Sequence, residues 1–186
     1  MLSPLSVAIP IRIEVSFMRK RFLSKYDGKK LEWLHTAVLL ALMLLAALFC
    51  LAFVFGVARV SGDSMEPTLS DKDVVLYLRL GENRNYGDMV AVEMPSGESY
   101  IKRIVGLPGD TIDIHDGKLY RNGAQEAEEY PFGFTDQQNN AVSYPCKVEA
   151  GRYFVLGDHR EVSVDSRTFG TIAAKQIKGK VIFVFH

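Results

Sequence analysis

The sequence is poor in the residues that build covalent or metal-bound frameworks. It has two cysteines in 186 residues, Cys50 inside an apolar run and Cys146 in a distant polar segment. A disulfide framework is therefore excluded, and we expect no bridge between the two. It has no C-x-x-C motif and no paired His/Cys spacing of the kind that binds metal. We therefore expect no metal or nucleotide cofactor.

The sequence also lacks an excess of either charge. Its 22 basic and 22 acidic residues balance to a net charge of zero, so it has no footprint for binding a polyanion. Nucleic acid is not an expected partner. His35, His115 and His186 are scattered, which is typical of solvated or packing roles, and no Ser-His-Asp arrangement is recognisable. The length suits one domain plus a membrane segment, but not two large domains.

What the sequence does contain is a long apolar run. No charged residue lies between Ala37 and Ala58. About 22 residues at roughly 1.5 Å each give about 33 Å, enough to cross a hydrocarbon core. A cleaved signal peptide is the alternative, but the run is too long and has no clear small-x-small processing site. We therefore predict a retained transmembrane helix at residues 36–58, with Trp33 and His35 at the interface.

The charges on either side of this run differ. Arg59 alone follows it, whereas a basic cluster precedes it: Arg19, Lys20, Arg21, Lys25, Lys29 and Lys30. This bias predicts a cytoplasmic segment at 1–35 and an extracytoplasmic domain at 59–186. Met18 stands just before the cluster and is the more natural start, so residues 1–17 are expected to be an upstream extension.

After Leu69 the pattern becomes that of β-strands. Asp116-Gly117 between two short apolar runs predicts a hairpin. Glu126 to Pro145 is acidic, rich in amides and poorly patterned, which indicates a surface excursion. A helical turn is expected at Ala173 to Ile177. The other predicted strands are Asp73–Leu78, Met89–Val92, Ser99–Val105, Gly151–Leu156 and Lys180–Phe185.

Three polar segments stand out within this β-rich part. The first, VSGDSMEPTL at 60–69, directly follows the apolar run, and an isolated motif of this kind is equally typical of an ordinary turn. The second is YIKRIVGLPGD at 100–110. The third is GDHREVSVDSRTFG at 157–170.

The first two segments offer a nucleophile and a base. A serine hydroxyl such as that of Ser64 reacts slowly unless a base is held against it. Lys102 lies in an apolar strand, but it acts as a base only when neutral, and its ordinary pKa is about 10.4. Lowering that pKa to near 8 takes roughly 3–4 kcal/mol, which burial can supply, and a nearby Arg103 would push the same way. Taken alone, Lys102 is more typical of a surface lysine.

In this order, the three segments resemble the motifs of bacterial type I signal peptidases, over nearly everything from Val60 to the C-terminus. The resemblance implies a mainly β fold, with one N-terminal transmembrane helix and an antiparallel β catalytic domain of signal-peptidase/LexA-like type. It also implies a serine endopeptidase of the cell membrane. Such an enzyme cleaves N-terminal signal peptides from exported preproteins after small residues, at Ala-x-Ala sites.

The same resemblance assigns roles at the reacting centre. It makes Ser64 the nucleophile and Lys102 the general base, and Ser163 the residue whose hydroxyl bonds the lysine amine. The backbone N–H of Ser64 contributes to an oxyanion hole. In some family members, a serine hydroxyl is the second hydrogen-bond donor of the oxyanion hole. This chain has Gly62 at that position, like the Gram-positive type, so its second donor is a backbone group or is absent.

Further residues are assigned supporting roles. The resemblance implies that Asp158, Asp165 and Arg167 hold the third segment in place through ion pairs that include Arg103. His159 falls at a variable position of its motif and receives no catalytic role.

The substrate is expected to bind as an extended peptide. The chain around Val57 to Val60 and at Tyr100-Ile101 flanks the dyad and is suited to adding a peptide strand, which makes Val60, Tyr100 and Ile101 the predicted substrate-binding residues. The expected partners are exported preproteins and the lipid bilayer, and the enzyme is expected to be a monomer.

Other functions share some of these features. A Ser-Lys autoproteolytic repressor has a similar serine–lysine spacing, but carries a DNA-binding domain where this chain has an apolar run. A silent relative that serves as a pilus-assembly chaperone is disfavoured by the presence of both Ser64 and Lys102. A membrane-anchored adhesive or scaffolding β-domain does not account for three ordered motifs. A specialised peptidase for conjugation or pilin substrates uses the same dyad and stays open.

Overall fold

The computed structural model describes residues 14–81, 83–129, 131–138 and 142–186. The chain divides into two compact units, one ending at Cys50 and the other running from Leu51 to His186. Most of the predicted upstream extension, and four residues of the predicted surface excursion, lie outside the described residues. Both cysteines are free.

The N-terminal unit is built on helix α1, Glu14–Val54. Its part from Gly28 to Val54 is long and apolar enough to cross a membrane, and it is the one such helix in the described chain. The prediction of a helix to residue 58 is wrong at its C-terminal end. Phe55–Arg59 form strand β1 instead, paired residue by residue with the strand that contains Tyr77. Gly56 allows this pairing because a Cβ there would lie 2.2 Å from the Tyr77 ring.

The second unit contains a seven-stranded antiparallel sheet with the order β1-β2-β11-β3-β4-β9-β10. Besides β1, its strands are β2 (Val74–Leu78), β3 (Met89–Glu93), β4 (Ser99–Gly106), β9 (Arg152–Leu156), β10 (Ile172–Ala173) and β11 (Ile177–Phe185). The last two strands of the chain are separated by a 3₁₀ helix at Ala174–Gln176, where a helical turn was predicted.

A smaller antiparallel sheet has the order β7-β6-β5-β8. Its strands are β5 (Thr111–His115), β6 (Lys118–Arg121), β7 (Ala124–Gln125) and β8 (Cys146–Lys147), and a short helix α2 spans Ser166–Phe169. The predicted hairpin at Asp116-Gly117 joins β5 to β6, with both turn residues at positive φ. The predicted fold class, a mainly antiparallel β domain after one apolar helix, is confirmed.

Three apolar clusters hold the sheets together. One lies around Val90, Ile104 and Val155 of the large sheet. A second joins β4 and β9 to the small sheet through Val105, Ile112 and Phe154. The third contains Val60, Met65 and Leu69, and therefore anchors the chain on both sides of Ser64.

Candidate active site

Ser64 is presented by a turn that follows β1. The turn is closed by a bond from the Glu66 N–H to the Asp63 carbonyl, at 3.0 Å. Met65 and Leu69 are buried on either side of Pro67 and fix the turn to the sheet. Ser64 is left half-exposed between these anchors, so that a molecule from solution can reach it.

Lys102 reaches Ser64 from strand β4. Its Nζ lies 2.7 Å from Ser64 Oγ, which is hydrogen-bonding distance, although 38 residues separate the two in sequence. The strand is held by pairing with β3, where Lys102 is opposite Val90. The Lys102 residue is 2% exposed, so its amine is nearly cut off from water.

Burial lowers the pKa of Lys102 to about 8. The carboxylates of Asp165 and Asp158 act in the opposite direction, and the Arg167 guanidinium lowers the pKa further. The Tyr100 ring, whose centroid is 5.6 Å from Nζ, is placed to attract the ammonium form. At pH 7 about a tenth of Lys102 is therefore a neutral amine able to accept a proton, far more than for an ordinary lysine.

The neighbouring Arg103 is held by the third segment. Its Nε and Nη2 donate to the two carboxylate oxygens of Asp158 at 2.8 and 2.5 Å, and its Nη1 donates to the Gly87 carbonyl at 2.8 Å. The Thr68 hydroxyl donates to Asp158 at 2.6 Å. Asp158 is fully buried, so these donors take the place of water around its charge.

A second buried ion pair closes the third segment on itself. Arg167 donates to Asp165 through Nε at 2.9 Å and through Nη2 at 2.8 Å. Asp165 also accepts the N–H of Gly157 at 3.1 Å and caps helix α2. Both charged side chains are almost fully buried, which fixes the loop from 157 to 166 in one conformation.

Ser163 does not make the contact that was predicted for it. Its Oγ is buried, and no hydrogen-bond partner for it lies within the described part of the chain. It is nevertheless near the serine turn, because a Cβ at Gly157 would fall 2.1 Å from Ser163 Oγ and 2.4 Å from the Ser64 carbonyl oxygen. Only glycine therefore fits at position 157.

The predicted substrate-binding residues form an apolar floor and an open strand edge. Val60 and Ile101 pack in the same cluster as Met65. Strand β9 pairs with β4 only from Arg103 onwards, so no strand in the described residues covers Tyr100 and Ile101 on that side. The expectation that Val60 itself pairs with a peptide needs correction. Its N–H and carbonyl are already used, by Asp73 and Lys72.

The backbone donors near Ser64 differ in availability. The Gly62 N–H donates to Asp71 Oδ1 at 3.0 Å, which removes it as a second oxyanion donor. No described residue accepts the Ser64 N–H, which is therefore available to a developing oxyanion.

The segment predicted to be a surface excursion contributes bonds that the sequence did not reveal. Glu128 forms a two-pronged ion pair with the buried Arg160, whose backbone also bonds Phe132. Gln138 donates to the Ser163 carbonyl at 3.1 Å and accepts from Thr168 at 2.6 Å. This segment therefore supports the loop that carries Asp158 and Ser163. An arginine within the third segment was the one available signal, since it needs a partner when buried.

Other polar groups fall outside this arrangement. His159 packs its ring edge-to-face against Phe132 and donates its backbone N–H to the Ser64 carbonyl at 3.1 Å. Nδ1 of its ring is buried and has no hydrogen-bond partner among the described residues, so this nitrogen makes no bond to Ser64 or Lys102. No group of three or more His, Cys, Asp or Glu side chains able to hold a metal occurs among the residues described.

The chain is similar in sequence to known proteins. The family described as "Signal peptidase, peptidase S26" matches residues 31–186. A signal peptidase I from Bacillus licheniformis is 37% identical over 167 residues, which covers 83% of this chain and 87% of that protein. Signal peptidase IB from Staphylococcus aureus is 32% identical over 177 residues, with 83% and 88% covered. A solved signal peptidase I structure from Enterococcus faecalis is 32% identical, with a TM-score of 0.46 over 54% of this chain and 98% of that chain.

Proposed function

Since this chain belongs to the signal peptidase family, peptidase S26, we propose that Ser64 is its nucleophile and Lys102 its general base. The family makes the protein a type I signal peptidase, a membrane-anchored serine endopeptidase that processes signal peptides. The observation that carries the proposed dyad is the 2.7 Å contact between the buried Lys102 amine and the Ser64 hydroxyl.

The reaction begins with proton transfer inside the dyad. The neutral Lys102 amine takes the proton of Ser64 Oγ as that oxygen attacks the scissile carbonyl. The Ser64 N–H donates to the resulting oxyanion, a type of interaction worth about 10²–10³ in rate. The Lys102 ammonium then protonates the departing amine, which leaves an acyl-serine. A water molecule, deprotonated by Lys102, hydrolyses this ester and restores the hydroxyl.

The remaining named residues support this pair. Arg103 with Asp158, and Arg167 with Asp165, fix the loop that faces Lys102 and set the charges around its amine. Ser163 orients the amine when its hydroxyl turns towards Lys102 during the reaction, a role compatible with its unpaired, buried Oγ.

The substrate is an exported preprotein that lies extended along the open edge of β4. Tyr100 and Ile101 supply backbone groups to it, and Val60 contributes its side chain to the apolar floor. A shallow apolar surface accepts small side chains, which supports cleavage after an Ala-x-Ala sequence. The whole proposed site lies on one chain, so a monomer is sufficient.

The anchor orients the enzyme with its N-terminus inside and the catalytic domain outside. The basic cluster before the apolar helix, against Arg59 alone after it, supports this orientation. In the proposed arrangement, a cytoplasmic segment precedes residue 36, the anchor ends at Val54, and the peptidase domain follows. Protease added to intact protoplasts should digest the catalytic domain. Digestion only after lysis would reverse the orientation.

The dyad is tested by cleavage of a preprotein with an Ala-x-Ala site, using the purified full chain in detergent. Ser64→Ala and Lys102→Ala should each lower kcat by about 10⁴-fold or more. Ser143→Ala and Lys118→Ala change exposed residues of the same types outside the three segments and should leave the rate unchanged. Thermal unfolding establishes that each variant is folded. Wild-type activity in folded Lys102→Ala would overturn the assignment of the base.

A further inference from the structure

The three polar segments meet at one buried carboxylate, that of Asp158. Its Oδ1 accepts Nε of Arg103, and its Oδ2 accepts both Nη2 of Arg103 and the hydroxyl of Thr68. Arg103 directly follows the proposed base in β4. Thr68 belongs to the turn that presents the proposed nucleophile, four residues after it.

We propose that Thr68 is a positioning residue of the dyad, whose hydroxyl ties the Ser64 turn to Asp158 and so fixes Ser64 Oγ against Lys102 Nζ. This inference rests on the proposed function of Ser64 and Lys102. It adds a residue that touches neither the substrate nor the reacting atoms.

The contacts form a closed ring around the site. From Ser64 the ring follows the turn to Thr68, crosses to Asp158, continues to Arg103, and returns along β4 to Lys102. The 2.7 Å contact between Lys102 and Ser64 closes it. The Thr68 hydroxyl is bonded twice in this ring, since it donates to Asp158 at 2.6 Å and accepts from Arg103 Nη2 at 3.4 Å. Apart from the dyad contact, it is the link that depends on one hydroxyl group and not on covalent bonds or a two-pronged ion pair.

The third segment holds the Ser64 turn at two points. The His159 N–H donates to the Ser64 carbonyl at 3.1 Å, and the Asp158 carboxylate accepts from Thr68 at 2.6 Å. Two attachments prevent the turn from rotating about either one. Without the hydroxyl, the turn keeps the backbone bond and its apolar anchors, but it can pivot. A displacement of about 1 Å in a reacting group can lower the rate about 10²-fold.

The same hydroxyl affects the charge that Lys102 experiences. It donates to a carboxylate that favours the ammonium form of Lys102, and thereby offsets part of that negative charge. The other groups facing the amine are Asp165 and Arg167 of the third segment and the Tyr100 ring of β4. Loss of the Thr68 donor strengthens the field of Asp158, so the pKa of Lys102 rises.

Thr68→Val keeps the shape of the side chain and removes the hydroxyl, whereas Thr68→Ser keeps the hydroxyl. For Thr68→Val we expect kcat to fall about 10- to 100-fold at pH 8 with little change in KM. The pH at which kcat/KM rises, its acid limb, should increase by roughly half a unit. Below that pH, kcat/KM should therefore fall by a further factor of about three. Thr68→Ser should stay within about threefold of wild type at every pH.

The measurement is the pH profile of preprotein cleavage by the full chain in detergent, together with thermal unfolding of each variant. Thr171→Val is the matched control, because the Thr171 hydroxyl also forms a hydrogen bond with a charged side chain. It accepts from Nε of Arg152, which lies in β9. The acid limb of this control should equal that of wild type. Ser64→Ala and Lys102→Ala are measured alongside, so that failure of the proposed dyad is distinguished from failure of the role of Thr68.

Three results would overturn the role of Thr68 while leaving the dyad in place. One is wild-type kcat and an unshifted acid limb in Thr68→Val. Another is a rate that falls only in proportion to lost thermal stability, with the acid limb unshifted. A purely structural role of Thr68 would give that result. The third is a Thr68→Ser variant as slow as Thr68→Val.

Discussion

The large sheet and the loop at 157–167 both bury side chains, but the two regions are stabilised by opposite means. The sheet buries apolar side chains such as Val90, Ile104 and Val155. The loop instead buries charged groups, whose exposed fractions are 0% for Asp158, 1% for Arg160, 0% for Asp165 and 1% for Arg167. Apolar packing tolerates modest change, whereas a buried charge must keep its partner. The loop therefore fixes the precise geometry of the candidate site, and the sheet supports the loop.

The difference between the two regions should be largest when one partner of a buried ion pair is removed. Asp165→Ala leaves Arg167 buried without its carboxylate and should lower the free energy of unfolding by about 3–5 kcal/mol. Ile104→Val, the matched change in the sheet, should lower it by about 0.5–1.5 kcal/mol. Thermal or chemical unfolding of the full chain in detergent gives both values.

A double variant sharpens this result. The double variant Asp165→Ala with Arg167→Ala should lose less stability than the sum of the two single changes. The reason is that Asp165→Ala leaves the buried Arg167 charge without its partner, and Arg167→Ala removes that charge. Equal losses for Asp165→Ala and Ile104→Val would mean that the two regions are stabilised alike.

A smaller effect on stability, but a large one on rate, is expected where the loop touches the Ser64 turn. Gly157→Ala places a methyl group 2.1 Å from Ser163 Oγ and 2.4 Å from the Ser64 carbonyl, so one of them must move. Preprotein cleavage should fall about 10²-fold or more. Gly28→Ala, where no atom lies within 4 Å, is the control and should be silent. Unchanged cleavage by Gly157→Ala would show that the contact is easily relaxed.

Lys102 joins the two regions, because the strand buries it and the loop surrounds it with charge. Its pKa is lowered to about 8, so the neutral amine predominates above that pH and the ammonium below it. We therefore expect kcat/KM to rise with pH through an acid limb near 8, and to fall about tenfold per unit well below it. Initial rates of preprotein cleavage across pH 6 to 9 provide the measurement. A flat profile through this range would contradict a lysine base.

The smallest effect is expected at the edge of the loop. Gln138→Ala removes one donor to the Ser163 carbonyl and one acceptor for Thr168. It should lower the free energy of unfolding by about 1 kcal/mol and reduce cleavage only slightly. Gln125→Ala changes an exposed glutamine of β7 and is the matched control. A loss at Gln138 as large as that of Asp165→Ala would make the loop's amide contacts as important as its ion pairs.

The sequence predicted those parts that depend on local pattern. The hairpin at Asp116-Gly117 follows from residues that tolerate positive φ, and the apolar runs of β2, β3, β4 and β9 match observed strands. Strand β1 was missed, because Phe55 to Ala58 continue the apolar composition of the helix. What ends the helix is pairing with β2, a distant contact with no local signature.

At the site, the resemblance indicated which residues matter but not all of their contacts. Ser64 and Lys102 lie within bonding distance, whereas the predicted bond from Ser163 to Lys102 is absent from the described residues. The partners Glu128 and Gln138 come from a segment without periodicity. Such pairings depend on how the chain returns to the loop, which spacing in sequence does not encode.

The edge of β4 at Tyr100 and Ile101, which no strand of the described residues covers, has a consequence for the timing of export. An edge that recognises a peptide through backbone hydrogen bonds requires a peptide whose own backbone groups are unpaired. Residues around the cut that had already entered a helix or sheet of the mature protein would have to give up those bonds first. With the substrate bound along Tyr100 and Ile101 as proposed, processing would compete with folding of the passenger's first residues, and a fast-folding N-terminus should delay its own release from the membrane.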